Sequence, residues 1–151
     1  MNTFTHPVSG YIHTQFTVIM SAWHTHGINL PCDKPMQDDL NFAYHKGLGV
    51  DIMNTVGTNP MLFSECQGMY DGAAEDSYII HAHCLVEVMK LYELGAKYNQ
   101  QCILVVDHRA ETVGLLYMDG QVSRIGKNLE QACDTVKGDY TQIGSKRYVV
   151  R

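Results

Sequence analysis

The residues best suited to chemistry lie close together in residues 61–76, where four carboxylates, a tyrosine and two glycines occur. Glu65 and Glu75 can hold a cation or orient a polar substrate, and Tyr70 offers an aromatic face with a hydroxyl group. Gly68 interrupts the stretch, which predicts a polar, flexible loop of the kind that carries function. We expect the active site here, although an ordinary solvated loop explains the composition equally well.

Histidine pairs are a second candidate for chemistry. His24/His26 and His81/His83 both have His-x-His spacing, and alternate residues of a strand share a face that can hold one metal ion. Neither pair has an obvious carboxylate or third ligand nearby, and eight histidines in the chain make such pairs common. We therefore predict surface or hydrogen-bonded histidines, with no metal and no cofactor.

The cysteines and glycines complete no reactive pattern. Five cysteines without a CxxC pair argue against a disulfide framework or a thiolate zinc site and favour a reducing cytosol. Cys66 lies in the predicted loop, but a nucleophile also needs a base, so a small buried hydrophobe is the preferred interpretation. No glycine pattern matches GxGxxG or a P-loop, so nucleoside triphosphate chemistry is not predicted.

Hydrophobic periodicity predicts the elements that position these residues. Tyr11–Trp23 is typical of a long buried strand, and Cys84–Tyr98 carries the strongest helical stripe. That stripe consists of Leu85, Val88, Met89, Tyr92 and Ala96. The other predicted elements are a short helix from Pro35 that ends near Gly47 and Gly49, strands at 50–56, 77–82 and 102–106, and a hairpin of 112–117 and 121–125 around Asp119-Gly120.

The order strand, helix, strand, strand, helix, strand predicts an α+β fold. We expect a ferredoxin-like antiparallel sheet with two helices on one face and a C-terminal β-hairpin extension, in a single domain of residues 1–151. Such a sheet leaves one face uncovered, and two helices cannot hide Phe16, Ile19, Ile103 and Val105 together. We therefore expect subunits to associate over the second face in a closed ring.

Charge and hydropathy restrict the partner. The formal net charge of −5 comes without any run of like charge, which argues against a surface that tracks nucleic-acid phosphates. Residues 1–10 lack the basic and apolar regions of a signal peptide, and no apolar run approaches the roughly 20 residues of a membrane helix. We expect a cytoplasmic protein that binds a small molecule, and neither nucleic acid nor membrane.

Three short segments carry a family resemblance: Val18–Trp23 (VIMSAW), Gln100–Val105 (QQCILV) and Thr112–Gly120 (TVGLLYMDG). In this order and spacing they resemble the phage-encoded S-adenosylmethionine lyases, long catalogued as S-adenosylmethionine hydrolases. Smaller likenesses extend the resemblance over nearly the whole chain. They are Leu40, Ala43, Gly47 and Leu48 at the first helix and its exit, Tyr98 before the QxC strand, and Arg147–Val149 in the closing strand.

The resemblance implies a PII-like homotrimer with active sites between subunits and no cofactor. It also implies an enzyme that cuts S-adenosylmethionine into 5'-methylthioadenosine and L-homoserine lactone. The family's tyrosine in a Gly-x-Tyr turn and its glutamate before the next strand match Tyr70 and Glu75, with Gly68 and Met69 in the same turn. Tyr70 and Glu75 lie closer together than in the family's pattern, which makes Glu65 a competing candidate for the carboxylate.

The implied reaction depends on positioning. The substrate's carboxylate can attack its own γ-carbon while a neutral thioether departs, so no base, metal or covalent intermediate is required. Well-oriented intramolecular reactions reach effective molarities of roughly 10⁵–10⁸ M. We expect Glu75 to hold the α-ammonium or a ribose hydroxyl and Tyr70 to line the adenosine or sulfonium end. Ser21 and Thr112 are further candidate contacts, and packing within their strands explains them equally well.

Two alternatives stay open at this point. An enzyme of the same fold can cleave a nucleotide adduct of S-adenosylmethionine, such as a signal made by CRISPR defence systems. A PII-like regulator can bind an adenine nucleotide without any chemistry. If the role also resembles that of the phage enzymes, depletion of S-adenosylmethionine would disable restriction systems that require it.

Overall fold

A computed structural model describes residues 5–6, 10–11, 14–23, 33–57, 62–70, 72–133 and 135–151 of the chain. In these residues the chain forms two helices, one large sheet and a short pair of strands. The helices are α1 (Lys34–Val56) and α2 (Leu85–Lys97). The strands are β1 (Thr5–His6), β2 (Gly10–Tyr11), β3 (Phe16–Ser21), β4 (Phe63–Tyr70), β5 (Ala73–Ala82), β6 (Cys102–Asp107), β7 (Thr112–Tyr117), β8 (Val122–Gly126), β9 (Leu129–Ala132), β10 (Tyr140–Ile143) and β11 (Lys146–Val150).

The large sheet has nine strands in the order β8-β7-β6-β3-β5-β4-β10-β11-β9, with antiparallel neighbours throughout. Its centre follows the predicted order of element types: β3, α1, β4, β5, α2 and β6. The strands β8 and β9 form opposite edges of the sheet but are consecutive in the chain. The sheet is therefore curled, so that its two edges come close together. The N–H groups of Lys127 and Asn128 between them donate to the carbonyl of Arg151 after β11. These features confirm the predicted α+β class.

Alternation along the strands separates two cores, one on each face of the sheet. Both helices pack on the same face, as predicted. The helix-side core contains Phe16, Val18, Met20, Ala22, Leu48, Ile52, Tyr78, Ile80, Ala82, Val88, Leu91, Ile103 and Val105. The inner-face core contains Ile19, Cys66, Ile79, Leu104, Val106, Val113, Leu129, Ile143 and Tyr148.

The inner face is covered largely by the chain's own C-terminal strands. Leu129, Ile143 and Tyr148 on β9, β10 and β11 pack in one core with Ile19 and Leu104 of the central strands. Ile19 is only 4% exposed and Leu104 only 7%. The expectation of a bare second face was therefore wrong, because it treated the sheet as flat. The homotrimer itself stays a prediction.

Helix α1 is much longer than the sequence pattern predicted. It begins after Asp33, whose carboxylate accepts a hydrogen bond from the Met36 N–H at 3.0 Å, and it runs for 23 residues. It ends before Gly57, whose φ of 95° lies in the left-handed region. The predicted helix end near residue 47 and the predicted strand at 50–56 are both wrong.

Two glycines within α1 serve close packing rather than termination. A Cβ atom on Gly47 would lie 2.8 Å from the hydroxyl oxygen of Tyr98, and one on Gly49 would lie 2.5 Å from that of Tyr78. Both distances are shorter than ordinary carbon–oxygen contacts. The Tyr78 hydroxyl donates to the carbonyl of His45, so the aromatic ring is held against the helix backbone.

The predicted loop at residues 61–76 is instead a long hairpin. Strands β4 and β5 pair continuously from Phe63 opposite Ile80 to Tyr70 opposite Ala73. Residues 68–70, predicted as a turn, are therefore the end of a strand. Their polar and glycine content concealed the strand, because β4 lies inside the sheet and is held by backbone pairing with β5 and β10.

The second half of the chain agrees better with the sequence pattern. The predicted helix at 84–98, the central strand at 102–106 and the hairpin at 112–125 are confirmed as α2, β6 and β7–β8. Gly120 has a φ of 90°, as the Asp-Gly turn requires. The buried stripe of α2 is shifted, however, since Val88, Leu91 and Gly95 are buried while Leu85 is 60% exposed.

Candidate active site

A cavity of about 290 Å³ lies on the inner face, between β3, β5, β6 and β7. We call it the first cavity. Apolar side chains form much of its wall, together with polar ones. The lining residues are Ile19, Met20, Ser21, Glu75, Ser77, Gln100, Gln101, Cys102, Leu104 and Leu115.

Small side chains leave the room for this cavity. Ser77 on β5 pairs with Ser21 on one side and with Cys66 on the other, so three small residues lie in a row across the sheet. Cys102 lines the same cavity at the start of β6. The corresponding residues one step further along β3 and β5 are the larger, apolar Ile19 and Ile79.

The two serine hydroxyls are held by the backbone. Ser21 Oγ donates to the carbonyl of Asp76 at 2.7 Å and accepts from the Trp23 N–H at 2.9 Å. Ser77 Oγ donates to the carbonyl of Glu75 at 3.3 Å. Both serines are buried. They shape the floor of the cavity and keep its main chain in register.

Glu75 gives the first cavity its charge, because no other residue of the described lining is ionised at neutral pH. It lies on β5 directly opposite Gly68 of β4, so no side chain stands beside it on that strand. Burial raises the pKa of the Cys102 thiol, and the charge of Glu75 adds to this effect. The thiol therefore stays protonated at neutral pH and is a poor nucleophile there.

Glu65 lies on the opposite face of the sheet from Glu75. It pairs with Tyr78 of the helix-side core, and its side chain is 73% exposed. Its Oε1 lies 3.1 Å from Nε2 of His45, and the His45 ring stacks on Tyr78 with centroids 4.4 Å apart. Burial, with a contribution from Glu65, raises the pKa of Tyr78 to about 12. The two candidate carboxylates therefore do not share one cavity within a chain.

The other predicted contacts divide between the two faces in the same way. Gly68 lies on the inner face, opposite Glu75, whereas its neighbour Met69 is on the helix side by strand alternation. Thr112 pairs with Asp107, at the end of β6 remote from Cys102. Tyr70 closes β4, and its side chain lies outside the described residues.

A second cavity of about 230 Å³ adjoins the first on the inner face. The two share Leu104 and Leu115 as walls. The second cavity extends beneath the curled C-terminal strands. Its further lining residues are Ile125, Leu129, Asp139, Tyr140, Thr141, Tyr148, Val149 and Val150.

His81 and His83, the histidine pair that the structure describes, form no metal centre with other described residues. His81 Nδ1 lies 3.1 Å from the Thr17 hydroxyl, and His83 Nδ1 lies 3.3 Å from a carboxylate oxygen of Glu87. His24 and His26 lie outside the described residues. Within the part of the chain that the structure describes, no three histidine, cysteine or acidic side chains are grouped so as to hold a metal ion.

Four of the six lining residues that carry a polar or thiol group were not singled out from the sequence. Ser77 was assigned only to a strand, and Gln100, Gln101 and Cys102 were noted only as the start of the QQCILV segment. A signal for the last three did exist, because that segment carried part of the family resemblance. Their role in the cavity depends on the neighbouring strands β3 and β7, which are remote in sequence.

Comparison with known proteins gives one family match. Residues 33–151 match the model of the S-Adenosylmethionine lyase family. The matched region runs from Asp33 before α1 to the chain end and contains every strand that lines either cavity except β3. No curated protein matches the chain. Neither α1 nor α2 is long and apolar enough to cross a membrane, in the portion of the chain described.

Proposed function

Because the chain belongs to the S-adenosylmethionine lyase family and is an enzyme that cleaves S-adenosylmethionine, we propose that it releases 5'-methylthioadenosine and L-homoserine lactone. The reaction takes place in the first cavity. Glu75 is the residue that carries this proposal, since it is the one ionised side chain of the described lining. The methionine end of the substrate carries a sulfonium and an ammonium group, and a single carboxylate suits such a cation.

The reaction is an internal displacement. An oxygen of the substrate carboxylate forms a bond to the γ-carbon, the bond from that carbon to sulfur breaks, and the electron pair stays on sulfur. The sulfur leaves as a neutral thioether, the lactone ring closes, and no proton is transferred. The negative carboxylate and the positive sulfonium neutralise each other, so the transition state is less polar than the bound substrate.

The apolar wall favours this loss of charge. Ile19, Leu104 and Leu115 solvate charges poorly, which disfavours the separated charges of the substrate more than the transition state. For the same reason, we assign Glu75 to the α-ammonium, whose charge does not change in the reaction. An anchored ammonium group holds the methionine arm folded towards its γ-carbon. The protonated Cys102 thiol does not compete for the sulfonium.

The remaining candidate residues take supporting roles in this proposal. Ser21 maintains the cavity floor through its two backbone hydrogen bonds. Gly68 keeps space open beside Glu75, and Tyr70 contributes at the adenosine or sulfonium end. Met69 and Thr112 belong to the packing of their strands, and Glu65 serves the helix-side contact with His45.

A matched pair of charge removals tests the proposal. Glu75→Gln should lower kcat by roughly 10²-fold, because a misplaced reacting group costs about that much. Glu65→Gln removes the same charge from the same hairpin but from the other face, and it should leave turnover at the wild-type value. Wild-type turnover in Glu75→Gln, or the reverse ranking of the two variants, would reject the assigned site.

Product analysis tests the chemistry separately. In ¹⁸O-labelled water, cyclisation yields unlabelled homoserine lactone first, whereas direct hydrolysis labels the homoserine as it forms. Mass spectrometry of early time points distinguishes the two.

No lining residue in the described part of either cavity is basic, which favours S-adenosylmethionine over an adduct with an additional nucleotide phosphate.

We also propose a ferredoxin-like, PII-like homotrimer whose sites lie between subunits, so that a neighbouring subunit borders each first cavity, and that acts in the host cytoplasm as a phage counter-defence. The order β6-β3-β5-β4 and the sequence resemblance support the fold assignment. The trimer is tested by the mass of the protein in solution. The role is tested by phage survival on a restricting host that expresses the wild-type chain or Glu75→Gln, since only the active enzyme should protect the phage.

A further inference from the structure

The two cavities adjoin along the inner face. They share Leu104 and Leu115, which bound both spaces. They are also connected across β4, because Gly68 pairs with Glu75 of the first cavity on one side and with Thr141 of the second on the other. Gly68 has no side chain, so β4 raises no wall between the carboxylate and the second cavity.

We propose that the second cavity binds the adenosine half of the substrate, while the first binds the methionine half. This inference rests on the proposed function for the identity of the whole substrate. The first cavity, at about 290 Å³, is at the lower limit of the roughly 300–1,000 Å³ typical of pockets for drug-sized ligands. A two-part substrate therefore needs the adjoining space.

The second cavity has the chemistry of a nucleoside site. Ile125, Leu129 and Val150 supply apolar surface, and Tyr140 and Tyr148 supply rings, against which a flat base can pack. Asp139 is the one acidic residue of its described lining, which includes no basic residue. A carboxylate accepts hydrogen bonds from ribose hydroxyls or from an exocyclic amino group.

The charge of the second cavity excludes phosphate. None of the residues known to line it is a lysine or arginine, and Asp139 repels anions. The guanidinium of Arg147 lies 4.2 Å from the centroid of the Tyr140 ring. Its hydrogen bonds go to the Val136 carbonyl and the Gln142 side chain. A neutral nucleoside is therefore the matching ligand.

Adenosine binding, measured by calorimetry, tests the inference without turnover. Asp139→Asn should weaken binding by about tenfold, the loss of one charge-assisted hydrogen bond. Ile125→Trp should abolish binding, because it places a large ring at the rim of the cavity. Two controls should bind as the wild type does: Asp39→Asn on the exposed face of α1, and Val122→Trp, which is on the same strand as Ile125 but lines neither cavity.

The outcomes separate this inference from the proposed function. Glu75→Gln should keep adenosine affinity while turnover falls, and AMP should bind more weakly than adenosine. Absence of adenosine binding to the wild type, unchanged affinity in folded Asp139→Asn and Ile125→Trp, or tighter binding of AMP would overturn the nucleoside site even if lactone forms. Conversely, adenosine binding that depends on Asp139 would support the site even if the products differ from those proposed.

Discussion

The two faces of the same central strands serve different purposes. On the helix side, Leu48, Ile52 and Leu91 are fully buried against the sheet in one hydrophobic core. On the inner face, the row containing Ser21 and Ser77 leaves open the cavity that Glu75 enters. Because side chains alternate along a strand, the same strands carry the helix-side core on one face and the cavity on the other. The face on which a residue lies therefore indicates whether its substitution should affect stability or turnover.

The largest expected effect is on stability, on the helix side. Leu48→Ala removes a side chain with 0% exposure and should lower the free energy of unfolding by about 2–5 kcal/mol. Turnover per folded molecule should not change, because Leu48 lies on the face away from the cavity. Urea unfolding and an active-fraction assay measure the two quantities. Val50→Ala, two residues further at a position 51% exposed, is the control. A turnover defect in folded Leu48→Ala enzyme would contradict the assignment of stability to the helix side and of turnover to the inner face.

Filling the first cavity should lower turnover and leave stability nearly unchanged. Cys102→Leu adds apolar volume to the lining and should reduce turnover by at least about tenfold, because the methionine arm no longer fits. Its unfolding midpoint should remain near that of the wild type, since the added side chain enters open space. Cys102→Ser keeps the volume and should retain turnover. Equal activity in both variants would mean that the reaction occurs elsewhere.

The smallest expected effect concerns pH. Burial lowers the pKa of His108, against an opposing effect of Asp107, and the ring nitrogen Nε2 lies 2.7 Å from the Thr17 hydroxyl. A lowered pKa means that the fold favours neutral histidine, so its stabilisation is complete above the unfolded pKa of about 6.5 and is lost as pH falls. The melting temperature should drop on acidification, and less so in His108→Gln. Parallel pH profiles for the two proteins would contradict this assignment.

Sequence patterns predicted the elements whose periodicity was strong. The buried strand predicted within Tyr11–Trp23 is present as β3, and the Asp119-Gly120 turn identified the β7–β8 hairpin. The patterns failed where the role of a residue depends on packing against a residue far away in the sequence. Gly47 and Gly49 suggested a helix end because glycine disfavours helix, whereas their role is to admit Tyr98 and Tyr78.

The candidate site was predicted in part. Glu75, Ser21 and Gly68 were singled out and lie on the inner face, Glu75 and Ser21 in the cavity lining and Gly68 opposite Glu75. The sequence could not distinguish the positions of Glu65 and Glu75, because the residues between them were predicted as a loop. In a loop, unlike a strand, side chains do not alternate between two faces. Once β4 and β5 pair, the alternation of side chains puts Glu75 on the inner face and Glu65 on the helix side.

Local sequence thus determined what needs only neighbouring residues: the α+β class, the hydrophobic alternation, the turn chemistry and a family likeness that the match over residues 33–151 supports. Tertiary structure alone decided how far the sheet curls, which carboxylate faces the cavity, and that two cavities adjoin. Those features depend on pairing between strands far apart in the chain, such as β4 with β10 and β3 with β6. Such pairing is stabilised by the whole core and leaves no periodic signal in any one segment.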